Sequence, residues 1–366
     1  MSTHGYFSDT NAFPHAQFAA LSAFCYQALI AAGANPETAE AATRAMMHGS
    51  RLGVDSHGVR LLAHYVTALE GGRINKAPDL KIVHAFGAVA SLDADHAQGA
   101  LAAYTAMDHA VELAKKFGIG AVAIRNTSHF GPAGAYALAA ARQGVLGLSV
   151  CNSDSFVRLH DGAERFHGTN PIAVAVPVEG QKPWLLDMAT SAITYNRIQL
   201  HLSTGAPLAE EVASTADGED TTVAALADML APLGGMFGFK GAGLAGLVEI
   251  LSAVFSGMKV SPEILPMGGP DFSTPREMGA FVLAIHPTAF VSAETFADGM
   301  QRYLSGLRNS RSRAGAEIMA PGDREWREEA RRTVAGVPVD PATEAAFRRL
   351  GAQYQIPLPF EDASAG

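Results

Sequence analysis

The chain has 366 residues, of which 48% are hydrophobic and 17% charged, with 37 glycines and a net charge of −9 at pH 7. That length suits two or three domains around sizeable cores, and the apolar content excludes a disordered chain. The acidic balance repels phosphate backbones and argues against a nucleic-acid partner.

The opening MSTHGYFSDT has no basic segment followed by an apolar one, so no signal peptide is expected. Residues 15–33 are Ala-rich with apolar spacing and predict a helix ending at Gly33. Asn35-Pro36-Glu37 predicts the next helix start: Asn caps, Pro takes the first turn and Glu meets the positive dipole end. That helix should run to about Ser50. A third helix is expected from Asp55/Ser56, because Val59, Leu62, Val66 and Leu69 follow helical spacing and Gly71-Gly72 stops it. The first 75 or so residues then form a helical unit.

The texture changes at Lys81. KIVHAFGAVASLDAD reads as strand, turn, strand; residues 99–117 as a long helix; AVAIRN as a strand; and residues 132–144 as a helix. LGLSVCN, PIAVAVP and PWLLDMA are further strands, residues 244–258 a helix, and FVLAIHP a strand before a helical C-terminal part. The apolar stretch 243–258 is interrupted by Glu249 and too short for a membrane span. DREWREEARR, from Asp323, reads as a solvated helix face, and the tail after Pro359 as frayed. Cys25 and Cys151 are too few for a disulfide framework and form no CxxC, which fits a reducing cytoplasm. The fold class is therefore α/β with a sheet that need not be all parallel.

Two glycine patterns invite a dinucleotide-binding reading. Gly118-Ile-Gly120-Ala-Val-Ala123 follows a helix and opens a strand, the reverse of the fingerprint, and reads as a turn. Gly241-Ala-Gly243-Leu-Ala-Gly246 opens a helix, but no strand precedes it. Lys240 and the free amides from Gly241 onward form an anion cradle suited to a pyrophosphate; the alternative is close packing through small residues. Asp55-Ser56-His57-Gly58 sits at the third helix start. Ser56 either caps that helix only, or the helix end attracts a substrate carboxylate beside a proton-sharing His57. Arg60 and Tyr65 follow on the same segment, Tyr65 on the same face only if the helix is regular. Ser128-His129-Phe130-Gly131-Pro132 joins a strand to a helix, where α/β ligands gather, so His129 is either a proton donor or a brace for the turn. Gly168-Thr169-Asn170-Pro171 is a turn. Asp187, at the end of PWLLDMA, could bond a ribose or orient an imidazole, beside Thr190 or Ser191 as a helix cap. No metal constellation is present: there is no HExxH, and His160 and His167 lack cysteine partners. No GxSxG supports a hydrolase.

Taken together, GVDSHGVRLLAHY with EGGRIN, RNTSHFGPAGAYA, GTNPIAVAVP, LDMATS and GFKGAGLA form an ordered set over about residues 50 to 250. With this set the chain resembles the malate/L-lactate dehydrogenase family that lacks the ordinary Rossmann fold. That family includes sulfolactate, ureidoglycolate and diketogulonate enzymes and piperideine/pyrroline-carboxylate reductases. The resemblance implies a mixed-sheet NAD(P)-binding domain at 79–309, and a helical domain of 1–78 to which 310–366 returns. It implies a homodimer with NAD or NADP as cofactor and a small carboxylate as substrate. It makes His129 and His57 the acid/base candidates, with Ser56, Arg60 and Tyr65 on the substrate. Cofactor contacts are expected from Thr169 and Asn170, from Asp187, Met188 and Ala189, from Lys240 and Gly241, and from Gly322, Asp323 and Arg324. Two departures leave the substrate open. Leu61 stands where several members carry arginine, and Ser153-Asp154-Ser155 lacks a lysine that some use near the nicotinamide. The expected reaction is hydride transfer to or from a 2-keto or 2-hydroxy acid. The rivals are a cyclic imino acid reductase, a standard Rossmann dehydrogenase and a catalytically silent metabolite-binding dimer.

Overall fold

A computed structural model describes residues 13–360; the start judged above for a signal peptide and the end of the C-terminal tail lie outside them. Strand β1 (His15–Ala16) comes first, so helix α1 (Phe18–Ala31) starts later than its alanine content suggests. Helix α2 (Pro36–Arg51) begins as its sequence dictates. Asn35 Oδ1 accepts from Thr38 N at 2.9 Å, with Pro36 in the first turn.

The third helix departs from the expected start. Asp55–His57 and Val59–Leu61 are separate 3₁₀ turns, and α3 (Leu62–Gly71) begins only afterwards. Gly58 breaks the run in an extended conformation, and a Cβ there would lie 2.4 Å from Ser50 Oγ. The apolar spacing still holds, since Val59, Leu62, Val66 and Leu69 are all buried. Tight turns keep roughly a threefold repeat, so the pattern cannot tell them from a helix. Gly72 ends α3 at φ +87°.

The chain then builds β2 (Lys81–Phe86), β3 (Val89–Asp93), α4 (Gly99–Phe117) and β4 (Ile119–Thr127). Gly118 caps α4 at φ +85°, so the GxGxxA match is the helix-to-strand turn its order predicts. There follow α5 (Gly134–Ala141), β5 (Leu146–Cys151), β6 (Val157–Arg158), β7 (Arg165–His167), β8 (Ile172–Val176), β9 (Trp184–Met188) and α6 (Tyr195–Thr204). Next come β10 (Ala213–Ser214), β11 (Met229–Leu230), α7 (Phe239–Glu249) and β12 (Met278–Ile285). The C-terminal part is α8 (Ala293–Arg308), α9 (Asp323–Ala335), β13 (Val337–Pro338) and α10 (Pro341–Tyr354).

The main sheet has seven strands in the order β2-β3-β4-β12-β5-β8-β9. Its β3–β4 pair is parallel and every other neighbouring pair antiparallel, so the expected mixed α/β architecture holds. A second sheet, β10-β11-β6-β7, went unforeseen, because strands of two or three residues are too short to show an alternation. One apolar core lies between α4, α5 and the main sheet. Another joins α1, α2 and α3 to Val337 and Val339 and to Phe347 and Leu350 of α10. Helix α2 serves both: Ala41 and Ala45 face the first, Ala42 and Met46 the second. The solvated reading of DREWREEARR needs correction at its last residue. Arg332 is buried, because α9 lies against α2 and the turn after it.

Candidate active site

The loop after β4 is locked from both sides. Ser128 Oγ donates to Ala97 O at 3.0 Å, and the Tyr136 hydroxyl donates to Phe130 O. Gly99 packs so closely that a Cβ there would lie 2.3 Å from Ser128 O. His129 is thereby fixed, and its Nδ1 lies 3.0 Å from Tyr65 Oη. The irregular start of α3 does not stop Tyr65 from reaching the site. The His57 ring stacks on His129 with centroids 5.9 Å apart, and its Nδ1 lies 2.8 Å from Ser56 Oγ. A third imidazole, His64, meets His129 edge-on at 6.4 Å.

These imidazoles are held neutral. Burial lowers His57 to about 4. Burial, then the charges of Arg276 and Arg73, lowers His64 to about 4, against the opposing pull of Asp154. His129 is driven well below its ordinary value by burial, and then by His57, His64 and Arg276. Burial raises the Tyr65 phenol, which therefore stays protonated.

The cation beside this cluster is not the one expected. Arg60 is exposed on the second 3₁₀ turn and makes no described contact with either histidine. A three-residue 3₁₀ turn at Asp55–His57 also lacks the aligned peptides of a helix end. Instead Arg276, 2% exposed, influences both His129 and His64. Its Nη2 donates to Asp154 Oδ1 and its Nε to Leu265 O at 2.8 Å, while its buried Nη1 has no partner among the described residues. Arg73, from EGGRIN, is also buried but is taken up by the carbonyls of Pro266, Met267 and Asp271. Sequence reasoning missed Arg276 and His64. Arg276 lies in a loop with no motif, and it meets Asp154 only in the fold, across 122 positions of sequence.

The residues expected at the cofactor share a hydrogen-bonded frame. Asp187 Oδ2 accepts from Gly134 N at 2.9 Å, at the start of α5 and five positions past His129 in the chain. Burial raises this carboxyl to about 6, although the Gly134 bond opposes the shift. Met188 is the last residue of β9, paired with Ile172, and Ala189 follows it. Thr190 N and Oγ1 donate to Thr169 O, Thr190 Oγ1 also to Asn170 O, and Leu233 N donates to Thr190 O. Asn170 itself is fully buried, with its Nδ2 on Ala245 O and the Glu249 carboxylate. A Cβ on Gly241 would lie 2.2 Å from Leu233 O, so that glycine serves close packing, whereas Gly243 and Gly246 border open space. Lys240 is exposed in the first turn of α7, near the Phe237 and Phe239 rings, and no described residue ion-pairs with it. At the far end of β9, Leu185 N donates to Pro321 O at 3.2 Å, which brings Gly322 alongside. Asp323 pairs with Arg308, and Arg324 with Glu325. A free ammonium at a helix start, open space beside Gly243, and a carboxylate at a strand end fit a dinucleotide.

Clustered imidazoles, a buried guanidinium close to them, and an exposed lysine at a helix start with no strand–GxGxxG–helix unit around it fit a nicotinamide-dependent oxidoreductase built outside the Rossmann plan. Comparison with known proteins places it more closely. The family model described as malate/L-lactate dehydrogenase matches residues 16–348, and the chain belongs to that family. It is 35% identical to a malate dehydrogenase of Pyrococcus abyssi over 344 residues, 90% of this chain and 93% of the relative. It is 36% identical to an L-sulfolactate dehydrogenase of Methanocaldococcus jannaschii, over 76% of this chain and 80% of that one. The crystal structure of a malate dehydrogenase from Entamoeba histolytica superposes with a TM-score of 0.89 at 27% identity, covering 95% of this chain and all of the other. The protein is accordingly an NAD(P)-dependent dehydrogenase of this family.

Proposed function

We propose that the enzyme exchanges a hydride between the nicotinamide of NAD(P) and C2 of a small 2-hydroxy or 2-keto acid, with His129 as the proton-handling group. The observation that carries this reading is the half-buried His129 imidazole, held at Nδ1 by Tyr65 and stacked on His57. With its proton on Nδ1, His129 donates to Tyr65 Oη and leaves Nε2 free to take the proton of a substrate hydroxyl. In the reverse direction the imidazolium, still donating from Nδ1 to Tyr65 Oη, returns its Nε2 proton to the carbonyl oxygen as hydride reaches C2. A neutral imidazole is the form a base needs, so hydroxy-acid oxidation suits the resting site.

Arg276 Nη1, buried and without a partner, is the donor for the substrate carboxylate, and Ser56 and His57 close the opposite side. Lys240 and the first amides of α7 hold cofactor phosphate, and Asp187 with Met188 and Ala189 holds the nicotinamide half. Bound NAD(P) supplies the hydride acceptor or donor.

Asp154 gives a second reading its footing. Its carboxylate lies on Arg276 and acts on His64, so a cationic cyclic imine would meet a negative charge there. Reducing an iminium also needs no protonated histidine. A screen at 340 nm with both cofactors separates the readings by offering malate, lactate, sulfolactate, ureidoglycolate and cyclic imino acids. Turnover of hydroxy acids supports the first and turnover of imines alone the second. Tight cofactor binding with no turnover marks a silent binding protein.

A homodimer completes the proposal. Leu244, Leu247, Ile250 and Val254 form an exposed apolar stripe along α7 and the π turn after it, which a second copy would cover. Light scattering on Leu247→Asp should then report a monomer. Cys25 and Cys151, both free and buried, suit the cytoplasm. No described helix is long and apolar enough to cross a membrane.

A further inference from the structure

Helix α9 is fastened at both ends to parts of the site. Near its N-terminus, Trp326 Nε1 donates to Pro183 O at 3.0 Å, just before β9, and Pro321 accepts from Leu185. Near its C-terminus lies Arg332, 4% exposed. Arg332 Nη1 donates to Asp55 Oδ1 at 2.5 Å and Nη2 to Asp55 Oδ2 at 2.8 Å. Nη1 also reaches Ser50 O at 2.7 Å, and Nε is held by Glu328 Oε1 at 2.5 Å. Asp323 to Arg332 spans roughly 14 Å of helix at about 1.5 Å per residue.

Asp55 directly precedes Ser56 and His57, on a 3₁₀ turn that has no regular helical ladder to hold it. Among the described residues, the Asp55 carboxylate takes hydrogen bonds only from Arg332. A buried ion pair is weak as a source of stability, because desolvation offsets most of its attraction. Two apolar side chains would hold α9 to α2 as firmly. They would not hold a carboxylate in one orientation, as a planar two-pronged guanidinium does.

We infer that Arg332 is a positioning residue: through Asp55 it fixes the Ser56–His57 turn against His129, and α9 is the strut that sets this turn in register with the strand bearing Asp187. The inference rests on the reading of His57 and His129 as the groups that meet substrate. The His57 ring meets Ser56 Oγ on its own turn and the His129 ring from the loop after β4, while Arg332 and Glu328 of α9 reach that turn through Asp55.

The test uses the full chain with its cofactor and whichever acid the screen selects. The variants are Arg332→Gln, Arg332→Lys and the near-isosteric Asp55→Asn, with Leu350→Ala of the helical core as a stability control. Arg332→Gln should lower kcat/KM roughly 10- to 100-fold, the range a misplacement of about 1 Å produces, with cofactor Kd within about twofold. NMR of labelled histidine should show His57 titrating closer to an exposed imidazole, as water reaches the loosened turn. Arg332→Lys should recover part of the loss, and the Arg332→Gln/Asp55→Asn double variant should be no worse than the poorer single one. Leu350→Ala should lower Tm and leave kinetics and the His57 titration unchanged. Normal kcat, KM and His57 titration in Arg332→Gln and Asp55→Asn would overturn the inference, whatever their Tm. If His57→Ala and His129→Ala are also kinetically normal, the reading of the site fails with it. If they are impaired while the Arg332 variants are not, the positioning role alone fails.

Discussion

Tyr65 Oη and His129 Nδ1 stand 3.0 Å apart, joining α3 to the loop after β4 across 64 positions of sequence. The bond holds the ring by Nδ1 in either protonation state, so Nε2 takes a proton as the neutral base and returns it as the imidazolium. Tyr65→Phe keeps the ring and removes the bond. A neutral hydrogen bond contributes about 0.5–1.5 kcal/mol net, so kcat should fall about two- to tenfold with cofactor Kd unchanged. Steady-state rates beside a fluorescence titration measure both; an unchanged kcat would remove Tyr65 from the proton path.

His129→Ala should cut kcat by roughly 10²–10⁴, the usual share of general acid–base catalysis, and leave cofactor affinity nearly untouched. His57→Ala should act mainly on substrate KM, because the proposed site puts His57, in contact with Ser56, on the substrate. If the two kinetic patterns are exchanged, the roles of the histidines exchange too. Near-normal kcat in both would take histidine out of the chemistry.

In the proposed site Arg276 anchors the substrate carboxylate. Arg276→Lys loses the planar fork shared by Asp154, Leu265 O and the open Nη1 position. KM for the acid should rise roughly tenfold or more, since a hydrogen bond to a charged group contributes about 1.5–3 kcal/mol. Arg60→Ala, on the exposed turn, should change KM little. A large KM effect at Arg60 and none at Arg276 would reverse the assignment.

Lys240→Ala should weaken cofactor binding by about 10- to 150-fold, corresponding to about 1.5–3 kcal/mol for a charged contact with phosphate. The contact exists in the ground state, so kcat at saturating cofactor should hold. Isothermal titration against both NADH and NADPH checks this and ranks the two cofactors. An unaltered Kd would move the phosphate site away from α7.

The depressed histidines predict two pH dependences. Their neutral form persists below the ordinary imidazole value, so kcat/KM for hydroxy-acid oxidation should stay flat as pH falls through 6.5. An acid limb at that value would show that the catalytic imidazole is not desolvated. Stability follows by linkage. Between 6.5 and about 4 the unfolded chain binds a proton at position 57 that the folded chain refuses. The contribution is therefore fully present above 6.5 and lost as pH falls toward 4. Tm measured from pH 7.5 down should decline less steeply in His57→Gln than in the parent.

Much of the layout is local and was legible in the residues themselves. The cap at Asn35, the left-handed turn at Gly118, and the placing of His129 between a strand and a helix each depend on a few neighbouring residues. The ordered motifs identify the family for the same reason, since each is a short stretch with its own backbone requirement. Tertiary structure decided the rest. Gly58, pressed against Ser50, broke the helix that periodicity predicts and removed the helix end expected to hold a carboxylate. The cation came instead from Arg276, which meets Asp154 across 122 positions. Arg332, in a run of charges that reads as solvent-facing, is buried where α9 packs on α2 and meets its partner Asp55, 277 positions away in sequence. A charged side chain in sequence carries no sign of whether water or a distant opposite charge will satisfy it; packing alone decides which, because burial of an ion is tolerated only where a partner is already in place.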